Sequence, residues 1–153
     1  DKFEFDAAVF GIESNIYFAN DLVANLPTSG LNVIVLRTFD NDANSATPFN
    51  AGVAANLIAA QITSPGPGFF VYFNSALDLP RLAFSTDLSD DTSDLKILAR
   101  LTTLSGQGGR DAMATFTEAN FAIMTVSQVP EPCTLAILSL GLAGLVLSRR
   151  KRH

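Results

Sequence analysis

The chain has 153 residues with 15 acidic and 10 basic side chains, one cysteine (Cys133), one histidine (His153) and no tryptophan. That length fits one domain with a substantial core, and the composition, 48% apolar and 16% charged, excludes a disordered chain. A single Cys closes no intrachain disulfide and a single His at the terminus supplies no imidazole triad, which removes disulfide scaffolds, multi-cysteine zinc sites and most hydrolases together.

Taken in chain order, the body is a series of short apolar runs between turn residues. Phe3, Phe5 and Val9 are spaced as one face of a first strand. Leu26-Pro27-Thr28-Ser29-Gly30 is a turn leading into Leu31–Arg37, a β-branched run that predicts a second strand. The Leu26–Gly30 sequence approaches a sortase motif, but it is internal and strand-like residues follow it, so a turn is the better account.

Asp40, Asp42 and Asn44 repeat at the spacing of a calcium loop. Ser45 then stands where that loop needs glycine, and Ala51 where it needs a bidentate Glu, so a solvated acidic turn is expected instead. One segment has helical character: over residues 50–62, Val53, Leu57, Ile58 and Ile62 fall on one face, with Asn50 placed as N-cap.

Pro65-Gly66-Pro67-Gly68 then opens onto Phe69–Phe73, the most apolar stretch, for which Arg81–Ser85 is the expected hairpin partner. Asp87, Asp90, Asp91 and Asp94 crowd one loop. Leu95, Ile97, Ala99 and Leu101 alternate with Lys96, Arg100 and Thr102, as in a half-buried strand. Gly106-Gln107-Gly108-Gly109 lacks the Lys of a phosphate loop and precedes a helical turn expected over Arg110–Glu118. Phe121–Val126 is the expected last strand. The prediction is a mainly β, sandwich-like domain over residues 1–126 with one packed α-helix near 50–62.

The C-terminus has a different composition. Four of the ten basic residues are Arg149, Arg150, Lys151 and Arg152, which leaves six basic against fourteen acidic side chains before Pro130, a net charge of −8 there. An acidic body with a basic tip is not a nucleic-acid-binding profile. A tether over residues 127–132 contains Pro130-Glu131-Pro132, and residues 133–148 then carry no charge. A helix of about 20 residues crosses a bilayer, so this run is slightly short. The four cations decide for a transmembrane α-helix over 133–148, because they suit cytoplasmic headgroups and not a core, with 149–153 as a cytoplasmic tail. Export of the body then expects a leader, and the chain opens Asp1-Lys2-Phe3 without one, so residues are expected to precede Asp1.

Pro130-Glu131-Pro132, an apolar run and an Arg/Lys cluster, in that order at the terminus, closely resemble the PEP-CTERM sorting signal of Gram-negative bacteria. The resemblance covers about 25 residues. It implies that Pro130, Glu131 and Pro132 are the motif read by exosortase, an integral-membrane transpeptidase. It further implies that Arg149, Arg150, Lys151 and Arg152 stop transfer through the inner membrane, and that the product reaches the cell surface or an exopolysaccharide matrix. The body is also similar to ectodomains that accompany this signal.

The expectation is an exported, non-enzymatic surface protein with a structural or adhesive ectodomain, no metal and no cofactor. An exported carbohydrate- or calcium-binding module and an uncleaved tail-anchored membrane protein remain open as alternatives.

Overall fold

A computed structural model describes residues 2–125. Its centre is β4 (Gly68–Asn74), in which all seven residues are buried. A strand covered on both faces should read as a continuous apolar run, and Phe69–Phe73 does. Around it stands a five-stranded sheet in the order β2 (Phe18–Asp21), β3 (Val33–Leu36), β4, β5 (Leu79–Ser85), β6 (Leu95–Arg100). The pairs β2/β3 and β3/β4 are parallel, whereas β4/β5 and β5/β6 are antiparallel.

The parallel half follows from the helical segment. Parallel neighbours need a crossover of a dozen or more residues, and α2 (Ala51–Gln61) supplies it between β3 and β4. Asn50 caps the helix by accepting the Val53 N–H at 3.1 Å. Ala54, Ala55, Ile58 and Ile62 turn inward onto Ile34, Leu36, Phe70 and Tyr72. Small residues on that stripe let the helix lie close to the sheet.

The opposite face carries Val33, Val35, Phe69, Val71, Leu82 and Phe84. Against it pack Phe5 of β1 (Phe3–Asp6) and Phe121 of β7 (Phe121–Met124), which pair with each other as a separate two-stranded parallel sheet. Met113 of α3 (Gly106–Met113) completes this side. The domain is thus mainly β with a few helices. Its two sheets are unequal, and a helix covers the outer face of the larger one.

Several expectations from sequence need correcting. The alternation through Val9 breaks because Asp6 accepts the Ala8 and Val9 N–H groups and caps a one-turn helix, α1 (Ala7–Phe10), leaving Val9 72% exposed. In β6 the pairing jumps from Leu82↔Ala99 to Ala83↔Ile97, so Leu98 is an extra residue. That bulge sends Leu95 to the helix-covered face and Ala99 to the other, and leaves Ile97 and Leu98 on the surface. Strand β2 has no counterpart among the expected elements. It is an edge strand without alternation, held in place when Asn20 Nδ2 donates to the Met113 and Phe116 carbonyls at 2.9 and 2.8 Å.

The helix expected over Arg110–Glu118 instead starts at Gly106 and takes in the glycines. Close approach explains one of them: a Cβ on Gly109 would stand 2.9 Å from the Leu104 carbonyl carbon and 3.4 Å from the Phe73 ring, whereas one on Gly108 would meet nothing within 4 Å. Urea denaturation should therefore separate the two positions. Gly109→Ala is expected to cost about 1–3 kcal/mol through overpacking, and Gly108→Ala to stabilise by about 0.5–1 kcal/mol through helix propensity.

Candidate functional site

Pro130, Glu131, Pro132, Arg149, Arg150, Lys151 and Arg152, with the expected transmembrane helix over 133–148, lie outside the described residues. Among the described residues no helix is long and apolar enough to cross a membrane. What the structure places is the end of the body nearest the motif: β7 finishes at Met124, in register with Asp6 of β1.

Asp40, Asp42 and Asn44 are committed to their own loop. Asp40 Oδ1 accepts the Asp42 and Ala43 N–H groups at 3.1 and 2.9 Å, Asp42 accepts that of Asn44, and Asn44 that of Ala46. These are successive side-chain-to-backbone turns, the arrangement that lets Asp and Asn shape a loop. Among the described residues no group of three His, Cys, Asp or Glu is placed to hold a metal ion.

The second acidic loop is similar. Asp87 Oδ1 accepts from Gly66 N at 3.1 Å and from both Ser89 N and Ser89 Oγ at 2.8 Å, stitching the Pro-Gly entry of β4 to the loop after β5. Partial burial pushes the Asp87 carboxyl up, but the Ser89 and Gly66 hydrogen bonds outweigh it and hold the group below the usual carboxylate range. Asp90 accepts from Thr92, and Asp91 from the Asn56 amide of α2 at 2.8 Å. Asp21, held low by Asn25 and then Arg37, bridges to Arg37 at 2.8 Å where β2 and β3 end.

One cluster escaped the sequence reading. Arg110 of α3 lies with its guanidinium carbon 4.8 Å from the Phe73 ring centroid and 5.1 Å from that of Phe39, and its Nη2 is 3.6 Å from Asp78 Oδ1. A polar cleft of about 250 Å³ opens beside it, with Asp40, Asn44, Thr47 and Ser75 in its wall. The partners of Arg110 come from positions 39, 73 and 78, and no spacing rule in the sequence joins them. A second cleft of about 400 Å³ lies between the 101–104 turn and the end of α3, with Phe3, Arg100 and Phe116 in its lining.

Leu26–Gly30, the sortase-like sequence, is a connection into β3. Leu26 is buried and the Thr28 carbonyl accepts the Thr63 N–H at 2.8 Å, so these residues serve the fold.

The described body is thus a small, mainly β domain whose last strand leads toward the C-terminal segment. That segment, residues 128–152, matches the family model of the PEP-CTERM protein-sorting motif. The chain therefore carries a PEP-CTERM sorting motif, which supports an exported protein targeted to exosortase and delivered through the membrane to the cell surface. Neither the curated proteins nor the solved structures give a match to the chain.

The Asp87 hydrogen bonds set a pH dependence. A carboxyl held below its unfolded value stabilises the fold above that value, 3.8, and the stabilisation is lost as pH falls through the lower folded value. Urea midpoints measured from about pH 5 down to about pH 2.5 should therefore decline, and Asp87→Asn should make the decline shallower by removing one titrating group.

Proposed function

We propose that this chain is an exported bacterial surface protein whose body is structural or adhesive, and whose C-terminal 25 residues direct its processing by exosortase. The observation that carries the reading is the match of residues 128–152 to the PEP-CTERM protein-sorting motif.

Each part of that segment has a physical role on this reading. Pro130 and Pro132 fix their φ angles and remove two N–H donors, which keeps the chain around Glu131 extended and presentable to an enzyme cleft. Glu131 offers one fixed negative charge between them. The uncharged run 133–148 spans the inner membrane, and Arg149, Arg150, Lys151 and Arg152 halt transfer on the cytoplasmic side.

The non-catalytic reading of the body rests on residue types and their commitments. The one imidazole is at position 153 and the one thiol at 133, beyond the domain. Asp40, Asp42, Asp87 and Asp90 hydrogen-bond to their own loops, which supports a scaffolding role for the carboxylates. An exopolysaccharide matrix is the proposed destination, and the domain is proposed to act there through its surface.

The test uses the full-length protein in a host with exosortase and in the same host lacking it. Processing and surface delivery should require the enzyme. The triple substitution Pro130→Ala, Glu131→Ala, Pro132→Ala should leave the protein at its unprocessed mass in the membrane fraction. Unchanged mass and location of the triple variant in the exosortase host would end the sorting proposal.

A further inference from the structure

The first and last strands of the body are paired with each other, and they run parallel. The register is Phe3↔Phe121, Glu4↔Ala122, Phe5↔Ile123 and Asp6↔Met124. In a parallel pair, the N-terminal end of one strand and the C-terminal end of the other lie at opposite ends of the ladder. Tension applied through the two ends of the chain therefore pulls β1 and β7 past one another along their length. All the ladder hydrogen bonds are loaded together. Among the described residues every other element lies between β1 and β7 in sequence, so chain tension is not passed on to those elements until this pair has parted.

Sliding is opposed by more than the ladder. Phe3 packs on Phe121 with centroids 5.5 Å apart, Phe18 packs on Phe121 at 5.7 Å, and Phe5 stacks on Phe69 of the central strand at 3.7 Å. Phe5 and Phe121 are both buried in the core on this side of the larger sheet. Because side chains alternate with a period of two, a slip of one residue would turn Phe5 and Phe121 out of that layer and bring Glu4 and Ala122 in. The aromatic packing acts as a detent on the register.

We propose that β1–β7 is a shear clamp, and that the body is a load-bearing module transmitting force between its C-terminal attachment and its N-terminal end. The proposal rests on the reading of the C-terminal segment as the point of attachment. It assigns the small parallel sheet a task that neither packing nor sorting requires.

Single-molecule pulling on the full chain in detergent tests it directly, because the one natural thiol, Cys133, follows β7 and can carry one handle. With the second handle at Lys2→Cys, an exposed position just before β1, the pair is sheared. With the second handle at Val9→Cys, just after β1 and 72% exposed, the same two strands are pulled from one end and unzip bond by bond. At matched loading rate the Lys2→Cys geometry should unfold at about twofold higher force or more, since forced unfolding follows the barrier along the pulling direction. Equal forces in the two geometries, or a lower force for Lys2→Cys, would overturn the clamp. Ser14→Cys, also exposed and beyond β1, repeats the unzipping geometry if Val9→Cys disturbs α1. The sorting assay reads location and processing, not force, so the clamp and the attachment can fail separately.

Discussion

The rest of the structure depends on the aromatic layer around Phe69. This ring stacks on Phe5 at 3.7 Å and meets Phe10 at 4.9 Å and Phe84 at 5.2 Å. It is thereby the point where the first strand, the one-turn helix after it and the antiparallel half of the large sheet converge. Aromatic pairs contribute about 0.5–1.5 kcal/mol each beyond the area they bury. The larger effect is organisational. Without the Phe5 contact the small sheet has only Phe121 and its neighbours to hold it against the large one. Twelve phenylalanines in a chain without tryptophan are used largely in this way, as a layer that joins chain ends to chain centre.

The two faces of the large sheet solve different problems. On the α2 side, alanines allow close approach of a helix, and the crossover it provides is what makes β3 and β4 parallel. On the other side, bulky rings fill the space between two sheets. The strand residues show the division plainly: Ile34 and Leu36 face α2, whereas Val33 and Val35 face the rings. A run of four apolar residues buried on both faces needs a cover on each side, and this fold supplies two unlike covers.

Most of what was legible in the sequence was local chemistry. Asn50 as N-cap, the Pro-Gly entry to β4 and its continuous apolar run each specify an element without help from distant residues. What was not legible depended on tertiary contact. The extra residue Leu98 follows from how β6 meets β5, and alternation alone does not show a bulge. Gly109 reads as a helix breaker, yet its missing side chain is what lets α3 reach Leu104 and Phe73. Strand β2 is defined by partners: Asn20 secures it by bonding to carbonyls more than ninety positions away. The sorting motif was legible, as the match over residues 128–152 shows, because an ordered series of motif, apolar run and cations is itself a linear code.

The same linear arrangement ties the fold to the proposed delivery. Only residues 125–129 separate the end of β7 from Pro130, and a chain that long spans at most about 20 Å when fully extended. On the proposed reading, whatever enzyme reads Glu131 must work beside a folded domain of net charge −8. Electrostatic repulsion between exposed charges is screened over about 8 Å at physiological salt, which is shorter than that reach. The end of the β1–β7 pair from which the chain continues toward Pro130 is the Asp6–Met124 end. The strand that finishes the fold is thus also the strand that meets the tether, and any pull on the tether enters the domain through β7.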